Sequence, residues 1–180
     1  MPVRKRKTST GTTGKPTNLL HPSALAENYL STLYKLREAG EPTNPARLAE
    51  YFRLLSLTEE LGTSLPSVVA MLRRMAKEGF IEIRPDHEAW FTEEGWTVAE
   101  EIVRRHRLAE RMLVDLLGLE WHRACIEGHR LEHAISGELA DTIDERLGYP
   151  LVNPFGWPIP GRIVHSEGIE WVRLDQALVG

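Results

Sequence analysis

Two helix signals followed by an abrupt change of period leave few folds open to this 180-residue chain. In NPARLAEYF, Asn44 and Pro45 open a short helix: a good capping residue, then a proline whose missing N–H costs nothing in a first turn. In LPSVVAMLRRMAKEGF, Thr63 or Ser64 caps a second helix with Pro66 in its first turn. Val68, Val69, Leu72 and Met75 give it an apolar face, and Gly79 ends it. The next residues, FIEIRPDHEAWFT, abandon helical spacing. Phe80, Ile81, Ile83, Trp90 and Phe91 fall in two short runs around the turn-forming Pro85 and Asp86, which predicts a two-stranded wing. Helix, helix and wing in this order predict a winged helix-turn-helix.

The flanking sequence is helical. Leu25, Tyr29, Leu33 and Leu36 predict a helix from Ser23 to Ala39, stopped by Gly40. Thr92 caps a long helix predicted to reach Gly118, with Val98, Ile102, Val103, Leu108, Met112 and Leu116 on its apolar side. Two more helices are predicted, from about Glu120 to Ser136 and from Glu138 to Leu147. From Tyr149 onward the chain is dense in Pro and Gly and reads as extended loop. The expected class is mainly α.

The net charge of -4 conceals an asymmetry. Residues 1–20 hold Arg4, Lys5, Arg6, Lys7 and Lys15 with no acidic residue, so the body beyond them is strongly acidic. That arm, rich in Thr, Ser and Gly, is too polar to bury a core and is expected to be mobile. The single cysteine, Cys125, excludes an intramolecular disulfide and fits a reducing compartment. No apolar run has transmembrane length, and no signal peptide follows Met1, so a cytoplasmic protein without a membrane partner is expected.

A winged helix-turn-helix lays its second helix in the major groove of double-stranded DNA. Here the helix start offers Thr63, Ser64, Pro66 and Ser67, and later turns carry Arg73, Arg74 and Lys77; Arg47 on the preceding helix is a second phosphate-contact candidate. Hydroxyls and free amides at a helix N-terminus bind phosphate directly. Val69 and Ala70 offer no bidentate base contact, so readout is expected to lean on thymine methyls and DNA shape. The alternative is a protein-interaction scaffold whose arginines are a solvated face.

Cys125, His129, Glu132 and His133 recur at i, i+4, i+7 and i+8, one stripe of a helix, and His106 and Glu110 lie four apart on the helix before it. Six such groups on two adjacent helices point to a divalent metal, and imidazole with carboxylate suits Mn, Fe, Co, Ni or Zn. The stripe is expected on solvent-accessible helix faces outside the apolar core. HRLEH is also H-x-x-E-H, the pattern of zinc hydrolases in which two His bind the metal and the Glu is the general base. That alternative needs a third protein ligand and an open coordination position; a metal-independent DNA-binding protein is the other alternative.

Four motifs, ENYLSTLYKL at 27–36, HRLAERML at 106–113, HRLEHAIS at 129–136 and NPFGWPIPG at 153–161, resemble in content and order the DtxR/MntR metal-dependent repressors. The resemblance runs from about Ser23 to Gly161. It implies a homodimer with a winged helix-turn-helix over residues 23–94 and a helical metal-binding and dimerisation domain over 95–161. These would follow the arm of 1–22 and precede a tail, 162–180, leading toward an SH3-like domain that is absent or cut from this chain. It also implies two metal sites per subunit, the first from Asn28, His129, Glu132 and His133, the second from His106, Glu110 and Cys125. Iron-responsive members tend to place Met and Cys where this chain has Asn28 and His129; manganese-responsive ones tend to place Asp and Glu there. A first site without sulfur favours the harder ion, Mn²⁺ ahead of Fe²⁺. The implied function is a metal-activated repressor controlling manganese or iron homeostasis.

Overall fold

The computed structural model describes residues 22–54 and 62–161. The expected arm, all but Pro22, and the expected tail of 162–180 lie outside the described residues, as does the stretch 55–61.

Helix α1 (Ala24–Glu38) begins where Ser23 Oγ accepts the Ala26 N–H at 3.3 Å. Helix α2 (Pro45–Leu54) is capped by Asn44, whose side-chain oxygen accepts the Arg47 N–H at 3.0 Å. For α3 (Leu65–Lys77) the cap is Ser64, accepting from the Ser67 N–H at 3.3 Å. Strands β1 (Ile81–Ile83) and β2 (Ala89–Phe91) pair antiparallel, with Ile81 opposite Phe91 and Ile83 opposite Ala89. This wing is tied to the loop before α2: the Thr43 N–H and hydroxyl donate to Glu88 Oε2 at 2.5 and 2.6 Å. The Trp90 ring lies under two guanidiniums, Arg37 at 3.8 Å and Arg84 at 3.4 Å, which fixes the wing to the end of α1.

Helix α4 (Glu93–Arg111) organises the rest. Thr92 Oγ1 accepts the Gly95 N–H at 3.0 Å while donating to Gly79 O at 2.7 Å. A Cβ on Gly95 would stand 1.8 Å from Phe80 O, so only glycine lets α4 start pressed against the wing. The first half of α4 puts Ala99 and Ile102 into a core with Tyr29, Leu33, Phe52, Leu72, Met75 and Phe80. Its second half puts Leu108 and Ala109 into a separate core with Ile135, Ala140, Ile143 and Ile159.

The long helix does not run as α-helix to Gly118. Met112–Leu116 form a π-helical turn, with the Leu117 N–H reaching Met112 O at 3.2 Å. Widening the turn rotates later residues off the apolar stripe, and Leu116 is 53% exposed where the spacing predicts burial. Helix α5 (Trp121–Glu132) stops short of Ser136 because Ser136 is extended and caps α6 (Gly137–Arg146), accepting from the Leu139 N–H at 3.2 Å. The segment expected as open loop is closed between Leu151 and Ile159: Val152 bridges Pro158, the Ile159 N–H donates to Leu151 O at 2.8 Å, and Ile159 is buried.

Candidate metal centre and DNA interface

Helices α4 and α5 approach closely at Gly128, where a Cβ would lie 3.0 Å from Glu110 Cγ. This contact brings the His106–Glu110 pair onto the stripe of α5. One ligand atom each from His106, Glu110 and Cys125 lie within 4.8 Å of one another, and so do atoms of His106, His129 and Glu132. His106 therefore belongs to both groups. Its Nε2 is 3.0 Å from Glu110 Oε1, and its Nδ1 is 2.7 Å from Glu132 Oε2. Glu132 Oε1 lies 3.1 Å from His129 Nδ1 and 3.6 Å from His133 Nε2. Asn28, from α1, closes the set with Oδ1 2.7 Å from His133 Nε2. All seven residues singled out in the sequence are thus brought into one continuous cluster joining α1, α4 and α5.

The expectation that the stripe lies on accessible faces holds for Cys125, is met in part by His129 and His133, and fails for Glu132. Glu132 is 0% exposed, and His106 and Glu110 are also buried; Cys125 is the exposed member. The close approach of α4 to α5 puts the i+7 position of the stripe at the centre of the contact.

Burial and the nearby Lys35 push the His106 imidazole toward its neutral form, but the pairing of its ring nitrogens with Cys125, Glu110 and Glu132 outweighs them, and its pKa rises from 6.5 to about 10. Burial opposes ionisation of Glu132 as well, yet His106 and His129 hold its carboxyl well below the usual range. The Glu132 contribution to the fold is present above its ordinary value of 4.5 and is lost as pH falls. The His106 contribution is complete below pH 6.5 and is lost as pH rises through about 10. Both act fully between those two ordinary values.

Both Glu132 oxygens and His106 Nδ1 are buried without an aligned hydrogen bond, although each lies within reach of an oppositely charged atom. Desolvated imidazole and carboxylate atoms converging off the N–H directions form a donor set that suits a divalent transition metal. Were His106 to ligate such an ion, coordination would take the place of its proton. Metal loading at pH 8 is therefore expected to release about one proton from His106, where an imidazole of ordinary pKa would release almost none. Calorimetry in buffers of different ionisation enthalpy checks this, and no proton release at pH 8 would contradict it.

Two residues of this site escaped the sequence reading. Asn153 Nδ2 donates to Glu110 Oε2 at 2.6 Å, while its Oδ1 accepts from the Phe155 and Trp157 amides at 3.1 and 2.7 Å. Asn before Pro signals a turn, but nothing in the sequence names a partner 43 positions away. The other is Glu27, which meets His133 Nδ1 at 2.5 Å.

In the wing domain, α3 buries Val68, Met71, Leu72 and Met75 and turns Ser64, Pro66, Ser67, Arg73, Arg74 and Lys77 outward, with Thr63 half-buried. The Ser64 and Ser67 hydroxyls bond each other at 2.7 Å. Arg74 pairs with Glu78 at 2.7 Å, and Arg47 on α2 pairs with Glu50 at 2.9 Å and Glu41 at 3.4 Å.

Residues 22–89 match the family of the iron dependent repressor, N-terminal DNA binding domain, and residues 92–161 match the iron dependent repressor, metal binding and dimerisation domain. The chain belongs to the iron-dependent repressor family. The expected class, mainly helical with a winged helix-turn-helix followed by a helical metal-binding and dimerisation region, agrees with this membership. Among family members, the chain is 37% identical over 153 residues to the iron-dependent repressor IdeR of Mycobacterium tuberculosis, covering 85% of this chain and 63% of that protein. It is 38% identical over 151 residues to the diphtheria toxin repressor of Corynebacterium glutamicum, covering 84% of this chain and 59% of that one. The chain spans about three fifths of the length of these curated relatives. A solved manganese-dependent transcriptional repressor in complex with manganese aligns with a TM-score of 0.65 at 33% identity, over 76% of this chain and 58% of that chain. The manganese regulator SloR aligns with a TM-score of 0.62 at 28% identity, over 75% and 59%.

Proposed function

We propose that this member of the family is a cytoplasmic repressor whose grip on operator DNA is turned on by divalent metal held between α1, α4 and α5. The observation that carries the reading is the contact of Asn28, on the helix next to the DNA-binding pair, with His133, which in turn lies beside Glu132 and through it His129, about a hundred positions along the chain. Under it, residues 23–94 bind DNA and residues 95–161 hold metal and dimerise. A bound ion would supply the positive charge that draws these imidazoles and carboxylates together once the His106 proton has left. Asn28 then ties α1 to α5, and in a dimer this sets the distance between two α3 helices that must enter successive major grooves, roughly 34 Å apart. Raising the competent population from about 1% to 99% takes differential binding of roughly 5.5 kcal/mol, which two sites per subunit share.

The first site, Asn28, His129, Glu132 and His133, offers only nitrogen and oxygen, which favours Mn²⁺ with Fe²⁺ second; His106, Glu110 and Cys125 form the second site. A second copy of this chain is the proposed dimer partner. Leu116, Leu117, Trp121 and Ile126 leave an apolar surface at the π turn and the start of α5, where the Phe155 ring sits 5.9 Å from Trp121. The buried Glu132 weighs against the hydrolase alternative, because a general base has to reach a substrate-bound water.

The test is anisotropy of chelated protein on duplex DNA from upstream of its own gene, titrated with Mn²⁺, Fe²⁺ and Zn²⁺. Metal-dependent, chelator-reversible binding is expected, and binding indifferent to chelator would contradict the reading. At the DNA face, Arg73 is exposed whereas Arg47 is held by two carboxylates. Arg73→Ala is expected to lower the salt slope of binding by roughly one unit, on operator and random DNA alike, and Arg47→Ala to lower it by less. An effect of Arg73→Ala confined to one base position would show sequence readout instead.

A further inference from the structure

Glu27 lies next to Asn28 on α1, and together they grip one imidazole from both sides. Glu27 Oε2 lies 2.5 Å from His133 Nδ1, while Asn28 Oδ1 lies 2.7 Å from His133 Nε2. The other Glu27 oxygen is held by Arg105 of α4 at 3.2 Å, and Arg105 also reaches Ile135 O, just past α5, at 3.4 Å. The carboxylate is thus anchored through Arg105 before it touches His133, and its side chain is only 16% exposed.

We propose that Glu27 is a positioning residue for metal binding: it holds the Nδ1 proton of His133, so that Nε2, facing Asn28, is the nitrogen left to coordinate. The proposal rests on the metal-site reading above. A neutral imidazole carries one proton, and its place on one nitrogen decides which other nitrogen has a free lone pair. His133 stands at the end of α5 and is partly exposed, so its ring orientation is set by what meets its two nitrogens, and of these contacts the one from Glu27 is to Nδ1. Carboxylates that orient a ligating histidine in this way commonly account for 10- to 100-fold in metal affinity. Glu27 sits on α1, so the same bond sets ring orientation and helix position together.

The experiment uses the full chain with Zn²⁺ as the probe, in wild type, Glu27→Ala, Glu27→Gln and His133→Ala, with thermal melts to follow folding. In Glu27→Ala, Zn²⁺ affinity is expected to fall about 10- to 100-fold. Glu27→Gln, whose carbonyl oxygen still accepts from Nδ1–H, is expected to recover most of that loss. Long-range ¹H–¹⁵N spectra of the Zn²⁺-loaded protein should show His133 protonated at Nδ1 in wild type and Glu27→Gln, with that proton exchanging fast in Glu27→Ala. If His133→Ala loses affinity but Glu27→Ala keeps wild-type affinity and an unchanged His133 signal, the role of Glu27 is overturned while the metal site stands. Wild-type affinity in His133→Ala would overturn the metal-site reading itself.

Discussion

Replacing Glu132 with alanine is expected to reduce divalent-metal affinity by at least about 100-fold, since loss of a ligand exceeds the 10- to 100-fold typical of losing an outer-shell partner. Its two oxygens face His106, His129 and His133, so no other side chain of the cluster replaces it. Placement on an accessible face would make the change silent for folding. With Glu132 fully buried, alanine instead leaves a cavity and takes a counter-charge from His106, which keeps only Glu110. Removing one member of a buried charged pair costs about 3–5 kcal/mol, and the remaining Glu110 bond argues for the lower end. Glu132→Gln separates the two effects: it keeps the volume and is expected to fold more stably than Glu132→Ala while still losing metal. Calorimetric metal titration beside thermal melts of both variants checks this. Wild-type affinity in either would remove Glu132 from the site.

The fold was legible wherever local chemistry decided it. Asn44, Ser64, Thr92 and Ser23 act through neighbours three residues away, and the change from helical to alternating spacing after Gly79 marks the wing. Six of the candidate ligands were legible because residue type and spacing coincide on two helices; Asn28, on α1, was legible only through the family resemblance. What stayed hidden depends on distant partners. Glu27 and His133 are 106 positions apart, and Asn153 and Glu110 are 43 apart. Depth was hidden too, since a stripe of Cys, His and Glu shows which residues share a face but not that Gly128 lets another helix cover it. The π turn depends on how the chain leaves α4 for α5, a tertiary demand with no local signature. The pairing of Arg47 with Glu50, three residues on, was available in the spacing.

Loss of Asn28 is expected to uncouple metal from DNA. Of the proposed ligands it is the one contributed by α1, and His129, Glu132 and His133 remain to hold the ion without it. An ion held only by α4 and α5 binds equally well whichever way α1 is turned, and a ligand with equal affinity for two states shifts neither. The competing role is a plain hydrogen bond from Asn28 to His133 that steadies the helix pair; its removal would lower stability and leave the metal response in place. The decisive measurement is operator affinity of wild type and Asn28→Ala, each with chelator and with saturating Mn²⁺, after calorimetry has shown that both bind the ion. Wild type is expected to tighten about 100-fold, the gain from moving a competent state from about 1% to 99%, and Asn28→Ala by less than about fivefold, the residue of the Glu27 contact. A gain in Asn28→Ala as large as in wild type would contradict the claim that metal works by joining α1 to α5.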